Sequence, residues 1–199
     1  YETKCVVIAT GSTPKQLDIN SYNNYIHKGV STCAVCDGNL PRFRNAPVAV
    51  VGGGDSACEE ALHLANICEK VYLIHRRDTL RASEIMKNRV LNHDKIVFIK
   101  DEVSEISGDN GVEKLTLKSG KNLNVKGLFV AIGHTPNSEI VENLVDLENK
   151  YIKTKNTETS VKGIWACGDV QDPHYRQAIT AAASGCIAAL EIERYLNNF

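Results

Sequence analysis

The fold is decided by residues 48–57, Val48-Ala49-Val50-Val51-Gly52-Gly53-Gly54-Asp55-Ser56-Ala57, where an apolar run passes directly into glycines and then into a helical pattern. A second apolar run, Val71 to Ile74, follows the helical segment. The order strand, helix, strand is typical of parallel sheets whose strands are joined by crossover helices. The sequence therefore predicts an α/β protein built on a parallel sheet.

The glycines follow the Gly-x-Gly-x-x-Ala pattern of a dinucleotide-binding turn. Gly52 permits the tight turn, Gly54 lets the backbone approach a pyrophosphate, and Ala57 allows the helix to pack closely on the strand. The start of the helix, with Asp55 and Ser56, offers backbone donors to phosphate. We interpret the stretch as a nucleotide site, and the alternative is a structural turn.

A basic cluster follows the second strand, where an NAD-specific site usually places an acidic residue. The strand ends in His75-Arg76-Arg77, and Arg81 lies one helical turn further on. Guanidinium groups can fork onto a 2′-phosphate, so this cluster favours NADP(H) over NAD(H). The alternative is a solvated basic turn.

Two cysteines stand in the motif Cys33-Ala34-Val35-Cys36-Asp37-Gly38. If the motif opens a helix, the aligned amides lower the pKa of the leading thiol, which favours disulfide exchange. Asp37 could then move protons. A zinc site is the main alternative, but even with His27 the ligand set is short of four. The other alternative is that both cysteines are unreactive residues of the core.

Composition excludes several classes of protein. The chain has 199 residues, 43% hydrophobic and 24% charged, which can bury a sizeable core and argues against a disordered or fibrous protein. The formal net charge of -1 gives no field that would attract nucleic acid or anionic lipid. The apolar runs are far shorter than the roughly 20 residues that span a bilayer, so we expect a soluble protein.

The cysteine count and the first residue bear on where the protein works. Seven cysteines, scattered apart from the one pair, favour a reducing, intracellular setting. The unpaired ones are expected to be small buried hydrophobes without a role: Cys5, Cys58, Cys68, Cys167 and Cys186. Because the chain opens at Tyr1 without an initiator Met, we interpret it as a fragment.

Other segments can be assigned more coarsely. Residues 1–11 predict a buried strand and turn, and the strand must pair with the C-terminal part or with a segment outside the chain. Residues 20–24 and 149–156 are expected to be surface loops and candidate boundaries. The Ala-rich stretch of residues 177–195 predicts a helix.

Taken together, the motifs resemble low-molecular-weight thioredoxin reductase. The resemblance covers essentially the whole chain and rests on the pair of cysteines, the glycine turn and the basic cluster already described. It continues through Ala9-Thr10-Gly11, residues 127–137, Gly168-Asp169-Val170 and Tyr175-Arg176-Gln177-Ala178. The family's first flavin-binding Gly-x-Gly-x-x-Gly is absent, which implies that the N-terminal part of the FAD domain is missing.

The resemblance implies Rossmann-like domains, with an NADPH domain inserted into a discontinuous FAD domain. Residues 1–14 and 131–199 would form part of the FAD domain, and residues 15–130 the NADPH domain. FAD would contact Thr10, Gly11, Gly168, Asp169, Arg176, Gln177 and Ala178. NADPH would contact Gly52, Gly54, Asp55, Ser56, Ala57, His75, Arg76, Arg77 and Arg81. Hinges are expected near residues 13–24 and 126–131.

The resemblance also implies a thioredoxin-disulfide reductase, which passes electrons from NADPH through FAD and the Cys33–Cys36 dithiol to thioredoxin. Cys36 would face the flavin, Cys33 would attack thioredoxin, and Asp37 would act as acid or base. A cytoplasmic homodimer is expected, with no metal. Two alternatives remain: the flavoprotein of alkyl hydroperoxide reductase, and a non-catalytic NADPH-binding module. We expect the chain alone to be inactive and to lose FAD while still binding NADPH.

Overall fold

The computed structural model describes residues 1–198, which form two compact units. The discontinuous unit comprises Tyr1–Pro14 and the residues from His134 onward, and the continuous unit comprises Lys15–Gly133. The chain returns from the continuous to the discontinuous unit between residues 133 and 134. The predicted boundary lies between residues 130 and 131. The assignment of the units to FAD and NADPH stays a prediction.

The elements follow one another in this order. The strands are β1 (Val6–Ile8), β2 (Ser12–Pro14), β3 (Val30–Ser31), β4 (Pro47–Val51), β5 (Lys70–His75), β6 (Ile96–Lys100), β7 (Val103–Ser107), β8 (Lys114–Leu117), β9 (Asn122–Asn124), β10 (Gly127–Val130), β11 (His134–Pro136), β12 (Leu147–Glu148), β13 (Tyr151–Ile152) and β14 (Ile164–Ala166). The helices are α1 (Tyr22–Tyr25), α2 (Ala34–Asp37), α3 (Asp55–Ala65), α4 (Glu84–Leu91) and α5 (Ala178–Leu196), and the 3₁₀ turns are Glu139–Val141 and Gly168–Val170.

The continuous unit is built on a parallel sheet with the strand order β3-β10-β4-β5-β6. The predicted α/β fold with parallel sheet is confirmed. Both faces of the sheet are buried: Val48 and Val50 pack into the cluster that contains α3, and Ala49 into the cluster on the opposite face. This alternation explains why β4 is apolar throughout its length.

The helix α3 is held to the sheet by small and apolar side chains. Ala57, Ala61 and Leu64 lie at helical spacing and are fully buried. These three residues lie on one face of α3. The apolar pattern after the glycines is therefore the face by which α3, the connection between β4 and β5, packs on the sheet. A separate antiparallel sheet, β7-β8-β9, completes this unit.

The discontinuous unit joins the two ends of the chain. β1 pairs in parallel with β14, with Ile8 opposite Ala166, so the first strand pairs with the C-terminal part as one of the two predicted possibilities. The expectation that β1 is buried is wrong for Val6 and Val7, which are 45% and 44% exposed, and correct for Ile8, at 4%. In the described residues β1 has a single strand neighbour, and only the side chain of Ile8 faces the unit's core.

One other expectation is corrected. The segments predicted as surface loops overlap α1 and β13, where Tyr22 and Ile152 are buried because each packs into a hydrophobic core. Residues 126–131, where one hinge is expected, consist mostly of β10, which is hydrogen-bonded between β3 and β4 and buried at every residue, and the hinge itself stays a prediction. The helix expected at residues 177–195 is confirmed as α5. None of the described helices is long and apolar enough to cross a membrane.

Candidate functional site

The glycine turn between β4 and α3 is shaped by close contacts. A Cβ atom on Gly52 would collide with the carbonyl oxygen of Ala131 and lie 2.6 Å from the Cβ of Ala57. Gly54 has open space where a side chain would be. The two glycines therefore do different things: Gly52 packs tightly inside the fold, and Gly54 leaves the backbone accessible to a ligand at the start of α3.

A second segment holds the glycine turn in place. The backbone N–H of Arg81 donates to the carbonyl oxygen of Gly53 at 2.6 Å. The backbone N–H and hydroxyl of Ser83 both donate to Asp55 Oδ1, at 3.0 and 2.8 Å. These bonds hold the pKa of Asp55 below its usual range. Asp55 thus anchors the turn, while Ser56 lies exposed in the first turn of α3.

The basic cluster is brought together at the carboxyl end of β5. The side chains of Arg76, Arg77 and Arg81 are exposed, and none forms an ion pair within residues 1–198. Their charges all act on His75, since burial first and then the three arginines lower the pKa of that imidazole. Three unneutralised cations on one site are suited to a dianion such as a 2′-phosphate.

His75 itself lies beneath the turn rather than beside the arginines in solvent. It is 7% exposed, and a Cβ on Gly53 would lie 2.5 to 2.6 Å from its ring atoms. Its Nε2 has no hydrogen-bond partner among the described residues. The ring therefore supports Gly53 from below, and sequence reasoning, which grouped it with the arginines, did not distinguish this position.

The two cysteines form a disulfide at the start of α2. The Cα atoms of Cys33 and Cys36 are 5.3 Å apart. Cys33 is the N-cap of α2, and its Sγ accepts a hydrogen bond from the backbone N–H of Cys36 at 3.1 Å. Cys36 is exposed and Cys33 half-buried. After reduction the same N–H would stabilise a thiolate on Cys33, as expected for the leading cysteine.

The helix that carries the disulfide packs against the C-terminal end of α3. A Cβ on Gly38 would lie 3.0 Å from Leu64 Cδ2, so the end of α2 packs closely on α3. Asp37 is half-buried, and its carboxylate accepts a hydrogen bond from the hydroxyl of Ser31 at 2.7 Å. Sequence reasoning missed Ser31; the available signal was a serine two residues before the first cysteine, a spacing typical of local side-chain to backbone bonds.

A cavity of about 270 Å³ lies in the discontinuous unit. Most of the residues predicted to contact FAD line it: Gly11, Gly168, Asp169, Arg176, Gln177 and Ala178. Pockets that enclose drug-sized ligands measure roughly 300–1,000 Å³. The cavity is thus of a size to hold one portion of a dinucleotide. Asp169 and Arg176 give the cavity both signs of charge, and the positive end of the α5 dipole lies at Ala178 in its lining. The backbone N–H groups of Gln177 and Thr180 are already engaged in a capping box.

Thr10 does not line the cavity. Its hydroxyl donates to the carbonyl oxygen of Asn137 at 2.6 Å, and the Asn137 amide donates back to the carbonyl oxygen of Thr10 at 2.9 Å. These bonds join the end of β1 to the segment after β11. We therefore place Thr10 as a residue that fixes the neighbouring Gly11.

The loop before α5 is organised by one carboxylate that sequence reasoning also missed. Asp172 accepts backbone hydrogen bonds from His174, Tyr175 and Arg176, at 2.8, 3.1 and 3.3 Å. Burial would raise the pKa of Asp172, but these bonds lower it below its usual value. Arg176 adopts a left-handed backbone, with φ of 48°, which the bonds to Asp172 stabilise.

His134 also belongs to this unit, at the start of β11. Burial and the positive charge of Arg176 lower the pKa of His134, while the carboxylate of Asp169 opposes them. The imidazole is therefore neutral at neutral pH.

The other cysteines divide into two groups. Cys58, Cys68 and Cys167 are buried as expected, and burial raises the pKa of Cys58 and of Cys68 to about 11. The expectation is wrong for Cys186, which is exposed on α5, and for Cys5, which is half-buried. Few positions of α5 pack into the core of the unit. Apolar neighbours in the sequence of Cys186 therefore did not imply that this cysteine is buried.

Comparisons with known proteins agree with the arrangement of these sites. The sequence model of the pyridine nucleotide-disulphide oxidoreductase family matches residues 1–185. Thioredoxin reductase of Debaryomyces hansenii is 49% identical over 98% of this chain and 64% of its own length. Thioredoxin reductase 1 of Saccharomyces cerevisiae is 48% identical over 98% of this chain and 65% of its own length.

The solved structures give the same result. Thioredoxin reductase of Streptococcus pyogenes matches 100% of this chain and 67% of its own, with a TM-score of 0.90 and 38% identity. That of Giardia duodenalis matches 97% of this chain, with a TM-score of 0.87 and 42% identity. The chain thus spans less than two thirds of the length of the curated relatives named above, at 64% and 65%.

Proposed function

The chain belongs to the pyridine nucleotide-disulphide oxidoreductase family, and from that membership we propose that it carries out the chemistry of a thioredoxin-disulfide reductase. The observation that carries the proposal is the Cys33–Cys36 disulfide, which is exposed at Cys36 and lies in the same compact unit as the glycine turn and the three arginines. When bound, NADPH would supply a hydride and FAD would pass its electrons to the disulfide. Thioredoxin would be the final acceptor.

The continuous unit is proposed to hold NADPH. The open backbone at Gly54 and the free N–H groups at the start of α3 fit a pyrophosphate. Arg76, Arg77 and Arg81 fit a 2′-phosphate, because their charges are exposed and unpaired in the described chain. The residues proposed to contact the nucleotide are Gly54, Ser56, Arg76, Arg77 and Arg81, while Gly52, Asp55, Ala57 and His75 would shape the turn that holds it.

The discontinuous unit is proposed to hold part of FAD. The positive end of the α5 dipole and the guanidinium of Arg176 suit phosphate or carbonyl oxygens, and the carboxylate of Asp169 suits hydroxyl groups. The cavity of about 270 Å³ is consistent with one portion of the cofactor. The residues proposed to contact it are Gly11, Gly168, Asp169, Arg176, Gln177 and Ala178, with Thr10 in support.

The two cysteines of the dithiol are proposed to have different roles. Cys33, whose sulfur accepts a backbone hydrogen bond, would attack the disulfide of thioredoxin, and Cys36 would be the partner that closes the disulfide again. Asp37 would hold or move the proton that the exchange requires. The assembly and location of the protein are further proposals, namely a homodimer and the cytoplasm, which ultracentrifugation and cell fractionation would test.

The proposal is tested by NADPH-driven disulfide reduction with the full-length holoprotein. We expect turnover that requires thioredoxin and is lost in Cys33→Ser. Turnover without thioredoxin would instead indicate a peroxide-reducing flavoprotein, and NADPH binding without turnover would indicate a nucleotide-binding module. The matched control is Cys186→Ser, which removes an exposed cysteine outside the proposed site and should leave turnover unchanged.

A further inference from the structure

Ser31 is a buried polar residue next to the disulfide. It ends β3, where it is paired with Phe129 of β10, and it is 7% exposed. A buried hydroxyl is costly unless its hydrogen bonds are made. The bonds that Ser31 makes therefore account for its presence at this position.

The hydroxyl of Ser31 contacts both ends of the segment that carries the disulfide. It accepts the backbone N–H of Cys33 at 3.1 Å and donates to Asp37 Oδ2 at 2.7 Å. The carbonyl oxygen of Cys33 is also near, at 3.3 Å. The single hydroxyl proton goes to the carboxylate, because the bond is shorter and the acceptor is charged.

This hydrogen bond limits how the carboxylate of Asp37 can turn. Ser31 engages one oxygen, Oδ2, and this bond fixes the plane of the carboxylate. Because Ser31 is itself fixed in the parallel sheet, the carboxylate is attached to the rigid part of the unit rather than to the short helix α2 alone. Such anchoring is what keeps a proton-transferring group in productive geometry.

We propose that Ser31 is a positioning residue, whose hydroxyl orients Asp37 so that its carboxylate carries a proton between thiols when the Cys33–Cys36 disulfide is opened. The inference rests on the proposed function and deepens it, since it concerns how the dithiol reacts. It assigns a role to a residue outside the Cys-x-x-Cys-Asp motif.

The step balances as an ordinary thiol–disulfide exchange. An incoming thiol gives its proton to the Asp37 carboxylate, and its sulfur bonds to one sulfur of the pair. The electron pair of the broken bond stays on the other sulfur, which takes the proton back from Asp37. A second thiol of the same reductant then displaces the first sulfur, so a dithiol is oxidised and the protein disulfide is reduced by two electrons.

The test uses dithiothreitol as the reductant, because it needs neither nucleotide nor thioredoxin. Opening is quenched by alkylation and measured by mass spectrometry on the tryptic peptide of residues 29–42, which contains Cys33 and Cys36 and no other cysteine. Rates are compared at about pH 6 and about pH 9.5, on either side of the ~8.5 pKa of a free thiol.

We expect Ser31→Ala to slow opening by about tenfold at the lower pH, a part of the 10²–10⁴-fold typical of general acid–base catalysis. At the higher pH the reductant is already a thiolate, so the variant and the wild type should react alike. Ser31→Thr keeps the hydroxyl and should restore the rate at the lower pH. Asp37→Asn should be slow, and adding Ser31→Ala to it should cause no further loss.

A phosphine reductant separates positioning from damage to the loop. A phosphine carries no thiol proton, so Ser31→Ala should leave its rate unchanged, whereas a disturbed α2 would change the rate with both reductants. The inference is overturned by equal dithiothreitol rates in Ser31→Ala and wild type, by a loss that is the same at both pH values, or by a further loss in the Asp37→Asn background. A disulfide that dithiothreitol fails to open in every variant would overturn the proposed function as well.

Discussion

The glycine turn and the cavity in the discontinuous unit differ in what determines their shape. The turn is formed by residues 52–57, close together in sequence, and is packed against the buried sheet of the continuous unit. The cavity combines Gly11 with residues 168–178 and is shaped by polar loops such as the one around Asp172. The first site is therefore formed within one packed stretch, which hydrogen bonds from Arg81 and Ser83 hold in place, whereas the second joins segments that lie far apart in sequence.

The cores of the two units show the same contrast. Both faces of the sheet β3-β10-β4-β5-β6 are covered by large hydrophobic clusters. In the discontinuous unit the clusters are small, and Ala188 is the residue of α5 that is fully buried among those described. We infer that substitutions inside the turn change stability, whereas substitutions around the cavity change local order.

The largest effect is expected from Gly52→Ala. Its new Cβ would collide with the backbone of Ala131, so unfolding in urea should show a loss of about 3 kcal/mol, at the upper end of typical overpacking costs. The matched control is Gly54→Ala, where the space is open. It should cost less than about 1 kcal/mol and yet weaken NADPH binding. Equal stabilities of the two variants would contradict the packing argument.

The next largest effect concerns the arginines. Arg76→Ala or Arg77→Ala should weaken NADPH by roughly 1.5–3 kcal/mol, the usual range for a hydrogen bond to a charged group, and leave NADH nearly unchanged. Isothermal titration with both nucleotides measures the difference. Arg89→Ala, an exposed arginine on α4, is the control and should affect neither. Equal losses for NADPH and NADH would exclude a 2′-phosphate contact.

A smaller effect is expected from the protonation of His75. Its folded-state pKa is lowered, first by burial and then by Arg81, Arg77 and Arg76. The unfolded chain therefore binds the proton more readily, so stability is complete above the ordinary histidine pKa of about 6.5 and falls as the pH decreases below it. Urea unfolding at a series of pH values below about 6.5 should show a decrease in the free energy of unfolding. The decrease should be smaller in His75→Gln.

Nuclear magnetic resonance sharpens this prediction. A nucleotide with a 2′-phosphate should raise the pKa of His75, because the dianion offsets the charges of the arginines. A pKa of His75 that is unchanged by the nucleotide would place the phosphate elsewhere.

The smallest effect is expected in the rates at which the free cysteines of the two units react with an alkylating reagent. Under native conditions at neutral pH, iodoacetamide should label Cys186 quickly and Cys58 and Cys68 very slowly, because the latter are buried and have a pKa of about 11. Peptide mass spectrometry gives the order. Cys186→Ser should change stability by less than about 0.5 kcal/mol. Rapid labelling of Cys58 would show that the core of the continuous unit opens readily.

The elements that sequence predicted well are those whose signals are local. Residues 48–57 carry the strand, the turn and the helix in one stretch, and Cys33 and Cys36 are close enough in sequence for their pairing to be foreseen. What could not be predicted depends on contacts across the fold. The exposure of Val6 depends on which elements cover β1, and the position of His75 beneath Gly53 depends on how the turn folds back.

The missed hydrogen bonds have a similar explanation. Ser83 binds Asp55 across 28 residues of sequence, and no local pattern connects them. Ser31 and Asp172 bind near neighbours, but serine and aspartate are common in such positions, so the sequence alone did not single them out.

The decisive experiment identifies the cysteine that reacts with thioredoxin, the proposed partner. Cys36→Ser, combined with Cys186→Ser, is reduced and mixed with a thioredoxin whose attacking cysteine carries a thionitrobenzoate group. We expect the Cys33 thiolate to displace thionitrobenzoate and the mixed disulfide to map to the peptide of residues 29–42. No release, or a crosslink at a cysteine outside that peptide, would show that Cys33 is not the attacking thiol.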